Sequence, residues 1–263
     1  MWRNVIGMVG PPSPVLESFY QAVREANLKR RGKHQMRIVL GDPHGDWNTI
    51  KNPEDLGPFV GHRDSWYAQV VKEEVLHKKR RALLIMGAKH FLRKLDRGPD
   101  PPPTVEQELR AAGARTYFIV FGTNATGGYD ELDKRSDAWP LPAIVDLRGN
   151  WVGDLPAEPV LTGGTGFDKL AGMKLRDEAD ALLYVAPRDA LTMLLMPWSE
   201  LQGTAYADEL DRRTMIQIGR AMTNFRSEVP LFRPPRGNTG SLPRPPPPIK
   251  TINDPLPPRP PSR

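Results

Sequence analysis

Short unbroken apolar runs, alternating with segments of helical period, constrain this chain more than any other feature. "RALLIM" (81–86), "RTYFIVFG" (115–122), "PAIVDL" (142–147) and "ADALLYVA" (179–186) carry almost no polar alternation. That is the pattern of a strand buried on both faces. "Gln35 to Leu40" reads as a further strand, ended by Gly41. Between the runs the period changes. Val15, Leu16, Phe19, Ala22, Val23 and Ala26 recur at the spacing of one helix face, predicting a helix over 14–31. Trp66, Tyr67, Val70, Val71, Val75 and Leu76 do the same over 64–79, with Asp64 near the start, where a carboxylate suits the positive helix end. Further helices are predicted over 104–112 and 205–222, and Gly-rich loops over 149–166. Strands alternating with helices predict an α/β fold, a mostly parallel or mixed sheet flanked by helices. In such sheets ligands collect at the carboxyl ends of the strands.

Composition matters where the pattern stops, since 13 of the 29 prolines lie after residue 229. The reading therefore expects one α/β domain over 1–228 and a disordered Pro-rich tail over 229–263. "LPRPPPP" also has the form of a polyproline ligand, but an unstructured tail is the simpler reading. Lys and Arg number 37 against 31 Asp and Glu, a net charge of +6. The basic clusters "KRRGKH" (29–34) and "HKKRR" (77–81) stand at predicted helix ends, where they complement the helix dipole. No aromatic residues interleave with them, so no nucleic-acid partner is expected. The chain has no cysteine, which removes disulfides, thiolate metal sites and cysteine nucleophiles. No apolar run is long enough to span a membrane. "MWRNVIGMVG" is too short for the apolar core of a signal peptide, so the expectation is a soluble protein.

"LGDPHGDW" (40–47) concentrates Asp42, His44, Asp46 and Trp47 at a predicted strand end. GDxH opens the calcineurin-like metallophosphoesterase pattern, whose two metals need ligands from several loops. The other blocks of that pattern are missing: "LRGNWVGD" (147–154) has no histidine after its Asn, and no GDxxDRG occurs. A turn rich in Pro, Gly and Asp accounts for the same residues. "MGAKH" is the second candidate, with His90 where a buried strand passes into a helix. No GxSxG or phosphate-loop spacing is present, and "YADELDRR" (206–213) reads as a charged helix face.

"RDSWYAQVV" followed by "RALLIMGAKHF" resembles the RD…GxxH half of the Tiki superfamily, which includes ChaN-like haem-binding uptake domains, TraB-like proteins and the erythromycin esterases. The resemblance covers roughly residues 13–95, and more faintly extends to 213. It implies a central pocket for a small molecule, a divalent metal or haem, with either hydrolysis or ligand binding as the function. His90 would be the imidazole base or metal ligand, and Asp64 and Arg63 would orient it. His44 and Asp46 would stand at the rim, Asp46 facing the RD helix, with Trp47 as a wall. Glu25 would be a second carboxylate, and Asp42 would bond backbone N–H groups of its own turn. Asp46, Asp64 and His90 are expected to converge on one cleft. The family's first strand, with its Glu and His, is expected ahead of the helix at 14–31. No Glu-x-x-His stands among the dozen or so residues there, so the reading expects either that the chain begins late or that half the site is missing.

Overall fold

The computed structural model describes residues 14–30, 34–94, 103–121, 130–136, 139–162, 170, 172–186, 202–219, 221 and 250–252. The chain divides into two compact units, one of residues 1–66 with 192–238 and one of 67–191 with 239–263.

The first unit begins with helix α1 (Pro14–Lys29), which carries Glu17 in its first turn and Lys29 in its last, each matched to the dipole. The predicted strand over 35–40 takes no regular secondary structure and is not among the strands of the described sheet. Its side chains are exposed, 41% for Met36 and 50% for Leu40, so the expectation of a buried strand is corrected. Apolar alternation prepares a segment for pairing, but a strand exists only where a neighbour supplies the ladder. Past the turn at 46–50, a 3₁₀ turn (Pro53–Leu56) leads into a short helix, α2 (Gly57–Val60). Trp47, Ile50 and Leu56 form this unit's buried cluster, packed by Phe59 and by Ile216 of the last helix. The chain continues into α3 (Arg63–Val71), which leads into the second unit.

In the second unit a π-helical turn (Lys72–Leu76) prolongs α3, so the helix predicted to 79 is present but widens over its last turn. The run 82–86 likewise takes no regular secondary structure and is not among the strands of the described sheet. Leu84 and Met86 pack on Tyr67, Ala68, Val71, Val105 and Leu109, while Leu83 and Ile85 are 77% and 67% exposed. One face is therefore buried, not both. Helix α4 (Val105–Ala111) starts at Thr104, whose hydroxyl accepts from Gln107 N–H at 3.2 Å while its own N–H donates to the Gln107 side chain, a capping box.

The sheet follows, built from β1 (Ile119–Phe121), β2 (Ala143–Asp146), β3 (Ala181–Tyr184) and β4 (Lys250–Ile252), with α5 (Asp130–Arg135), α6 (Ala157–Thr162) and α7 (Leu175–Glu178) between them. Its order is β1-β3-β2-β4. It is mixed: β1 runs parallel to β3, β3 antiparallel to β2, and β2 parallel to β4. The expected α/β class with a mixed sheet and flanking helices is what the fold presents. Leu132, Val145, Leu147, Leu161, Leu175 and Leu182 are all within the buried core around it. The region predicted as Gly-rich loop contains a 3₁₀ turn (Trp151–Asp154) and α6. Gly153 fits there because an added Cβ would overlap the Leu147 carbonyl oxygen. Of the Pro-rich segment only β4 is described; the rest of the expectation for 229–263 lies outside the described residues. The last helix of the first unit, α8 (Ala205–Ile218), opens on Thr204, accepting from Ala207 N–H, and closes on Gly219 at φ 71. It ends four residues before the predicted 222, because glycine takes the left-handed conformation that stops a helix.

Candidate functional site

The "LGDPHGDW" turn and the start of α3 meet within the first unit. Arg63 Nη2 lies 3.1 Å from Asp42 Oδ1, both side chains being roughly a quarter to a third exposed. Asp64, the next residue, is buried at 4% exposure in the first turn of α3, where the helix dipole favours a carboxylate. His44 is exposed and meets the Trp66 ring edge-on at 6.3 Å between centroids.

Asp46 does not face the RD helix: it is exposed, and its Oδ1 accepts from the N–H and the side-chain amide of Asn48, each at 2.9 Å. This is an Asx turn, which a carboxylate two residues ahead of the accepted N–H forms from local geometry alone. Asp42, expected to hold the turn, accepts from Arg63. Trp47 is a core residue rather than a pocket wall, 3% exposed under the guanidinium of Arg213 at 4.8 Å. Glu25 is exposed on α1.

The charged face predicted at 206–213 proves to be part of what holds this turn. Arg212 donates to the carbonyls of Trp47 (2.8 Å) and Ile50 (3.1 Å), and Arg213 is 6% exposed. Glu209 binds both arginines. Hydrogen bonding from Arg212 above all, aided by Arg213, outweighs partial burial and draws the Glu209 carboxyl down to about 2.

His90 lies in the second unit, in a 3₁₀ turn (Ala88–Phe91) after Gly87. Its ring stands at 88° to that of Tyr67, with centroids 5.3 Å apart. Three residues on, Arg93 centres a network of buried charge that the sequence reading did not find. Its guanidinium binds both carboxylate oxygens of Asp180 and, at 3.1 Å, Glu106. Glu106 also accepts from Thr116 (2.6 Å) and Arg110 (2.7 Å). Asp180 accepts Phe118 N–H at 2.8 Å and Arg148 at 3.0 Å. Burial pushes the Asp180 carboxyl up, but hydrogen bonds from Arg93 and Phe118 outweigh it and hold it below its usual range. Glu178 is fully buried and accepts the N–H groups of Arg93 (2.5 Å) and Lys94 (3.2 Å). There burial prevails and the carboxyl is raised. A signal was present: acidic residues directly before the apolar run of "RDEADALLYVA" cannot be buried without partners. The network sits where β3 begins, opposite the carboxyl ends of β1 and β3, which favours a structural clamp over a ligand site.

Among the described residues no three His, Asp or Glu side chains are grouped to hold a metal ion. The described helices include none long and apolar enough to cross a membrane. Comparison with protein-family models, with curated proteins and with solved structures finds no match.

Proposed function

We propose that this chain is a small-molecule-binding protein of the Tiki/ChaN-like kind, with the "LGDPH" turn and the RD start of α3 forming one side of its ligand site. The observation that supports this is the Asp42–Arg63 pair, which joins stretches 21 positions apart beside buried Asp64. A guanidinium is the side chain that pairs with a carboxylate or carbonyl in fixed geometry. Asp64 is the acceptor that would fix a ligand hydroxyl or amine. Haem is the first ligand to test, since one axial imidazole suffices. Hydrolysis is the lesser reading, with Asp64 as its base.

Haem titration followed at the Soret band tests the choice, with His90→Ala, His44→Ala and Asp64→Asn beside the parent. Binding should fall at least tenfold in His90→Ala and stay unchanged in His44→Ala. The reverse pattern, with phosphodiester turnover by the parent, would replace this reading with the metallophosphoesterase one. Turnover of an aryl ester that disappears in Asp64→Asn would make the protein a hydrolase.

A further inference from the structure

Within the second unit, the run 115–122, read from sequence as buried on both faces, is buried on one. From Arg115 to Phe121 exposure alternates residue by residue. Thr116 donates to Glu106, and Phe118 and Val120 enter the core at 7% and 1% exposure. Arg115, Tyr117, Ile119 and Phe121 face the other way, the last three 61%, 39% and 46% exposed. Pairing holds this orientation: β1 is registered on β3 from Ile119 beside Ala181 to Phe121 beside Leu183. The Phe118 carbonyl, just ahead of β1, already accepts from the N–H groups of Asp180 and Ala181.

The same face continues across the sheet. Cross-strand partners share a face, so Phe121 stands beside Leu183, and Leu183 beside Ile144 of β2, both half-buried. The opposite face carries Val120, Val145 and Leu182 into the core with Leu132 of α5, Leu161 of α6 and Leu175 of α7. Because β2 runs antiparallel to β3, Asp146 and Arg148 stand at the end of the sheet where β1 begins. Arg148 is held by Asp180 at 3.0 Å, and Asp146 accepts the Arg148 N–H at 2.8 Å. Arg115, at that same end, is exposed and makes no hydrogen bond or ion pair with a described residue. Here an arginine interleaves with aromatic rings, which neither basic cluster at 29–34 or 77–81 does.

We infer that this sheet face binds single-stranded nucleic acid, with Tyr117 and Phe121 each stacking a base and Arg115 pairing with a backbone phosphate. Four residues of strand separate the two rings by roughly 13 Å, so they take two bases rather than clamp one. Every base has a π-face, and an aromatic ring held on a strand stacks on it whatever the sequence. The bases of a duplex are stacked on one another, so the platform selects single strands. Charge complementarity decides for a polyanion: an apolar partner laid on this face would cover Arg115 without a counter-charge, which is costly.

The probe is a fluorescein-labelled oligothymidylate of about eight nucleotides, with the matching oligouridylate beside it, followed by anisotropy against the full chain. The ratio of the two affinities tells DNA from RNA as the ligand. Tyr117→Ala and Phe121→Ala should each weaken binding about tenfold, the loss of one stacked base. Phe121→Trp, which keeps a ring, should recover what Phe121→Ala loses. Arg115→Gln should lower the salt slope by about one charge. A duplex of the same length should bind far more weakly than either single strand. Circular dichroism of each variant confirms that the fold survives. Equal binding of duplex and single strand, or alanine variants that bind like the parent, would overturn the proposal. So would silence toward both oligonucleotides; a dimer in sedimentation that Phe121→Ala dissolves would then make this face a contact between copies of the chain.

Discussion

Arg93 carries more of the second unit's polar interior than any residue the sequence singled out. Glu106 and Asp180, 1% and 4% exposed, both direct carboxylates at its guanidinium. Removing one partner of a buried pair strands charge in a poorly solvated site, which typically costs about 3–5 kcal/mol. Arg93→Met should therefore lower unfolding free energy by about that much in urea titration. A loss below about 1 kcal/mol would show that water reaches the carboxylates. Glu209 gives a pH signature. Its folded value lies near 2 against an ordinary 4.5, so the folded state binds fewer protons than the unfolded one between them. Its contribution is present in full above about pH 4.5 and is lost as pH falls toward 2. Glu209→Gln should then melt below the parent at pH 6 and approach it near pH 2, as scanning calorimetry can check. A constant difference at both pH values would remove the ionic origin.

At the scale of elements, helices were legible and unpaired strands were not. α1, α3, α4 and α8 follow their apolar spacing and caps, because a helix makes its hydrogen bonds within itself. The runs 82–86 and 35–40 have strand composition, yet a strand needs a neighbour that no local pattern names. The same reason separates β2 and β3, found where expected, from the order and directions of the strands, which no local pattern gives. The turn at Trp151–Asp154 shows how a loop reading failed: Gly153 marks a close approach to Leu147, not flexibility. Gly153→Ala should cost on the order of 2 kcal/mol through overpacking against backbone. Thermal melts that coincide with the parent would show that the turn can shift.

For the whole molecule, β4 changes the standing of the Pro-rich segment. Thr251 pairs with Ile144 at the outer edge of the sheet. Removing the segment from Lys250 onward should expose the β2 edge. Thr251→Pro, which disturbs the pairing with Ile144, should lower Tm by roughly 2–4 °C if it costs about one hydrogen bond, ~1 kcal/mol. No change in either variant would mean that β4 adds nothing to the sheet. The sequence by itself determined the α/β class, the helices and the chemical character of "LGDPHGDW" and "RD", because periodicity and side-chain type are local properties. Tertiary structure alone decided which aspartate meets Arg63. Asp42 and Asp46 are chemically identical, and only the path of the chain assigns one to the guanidinium and the other to its own turn. It likewise decided that Trp47 is core and that Arg93 gathers Glu106 and Asp180, the latter 87 positions away. Buried charge must find its partners wherever folding brings them, and that pairing is written in three dimensions.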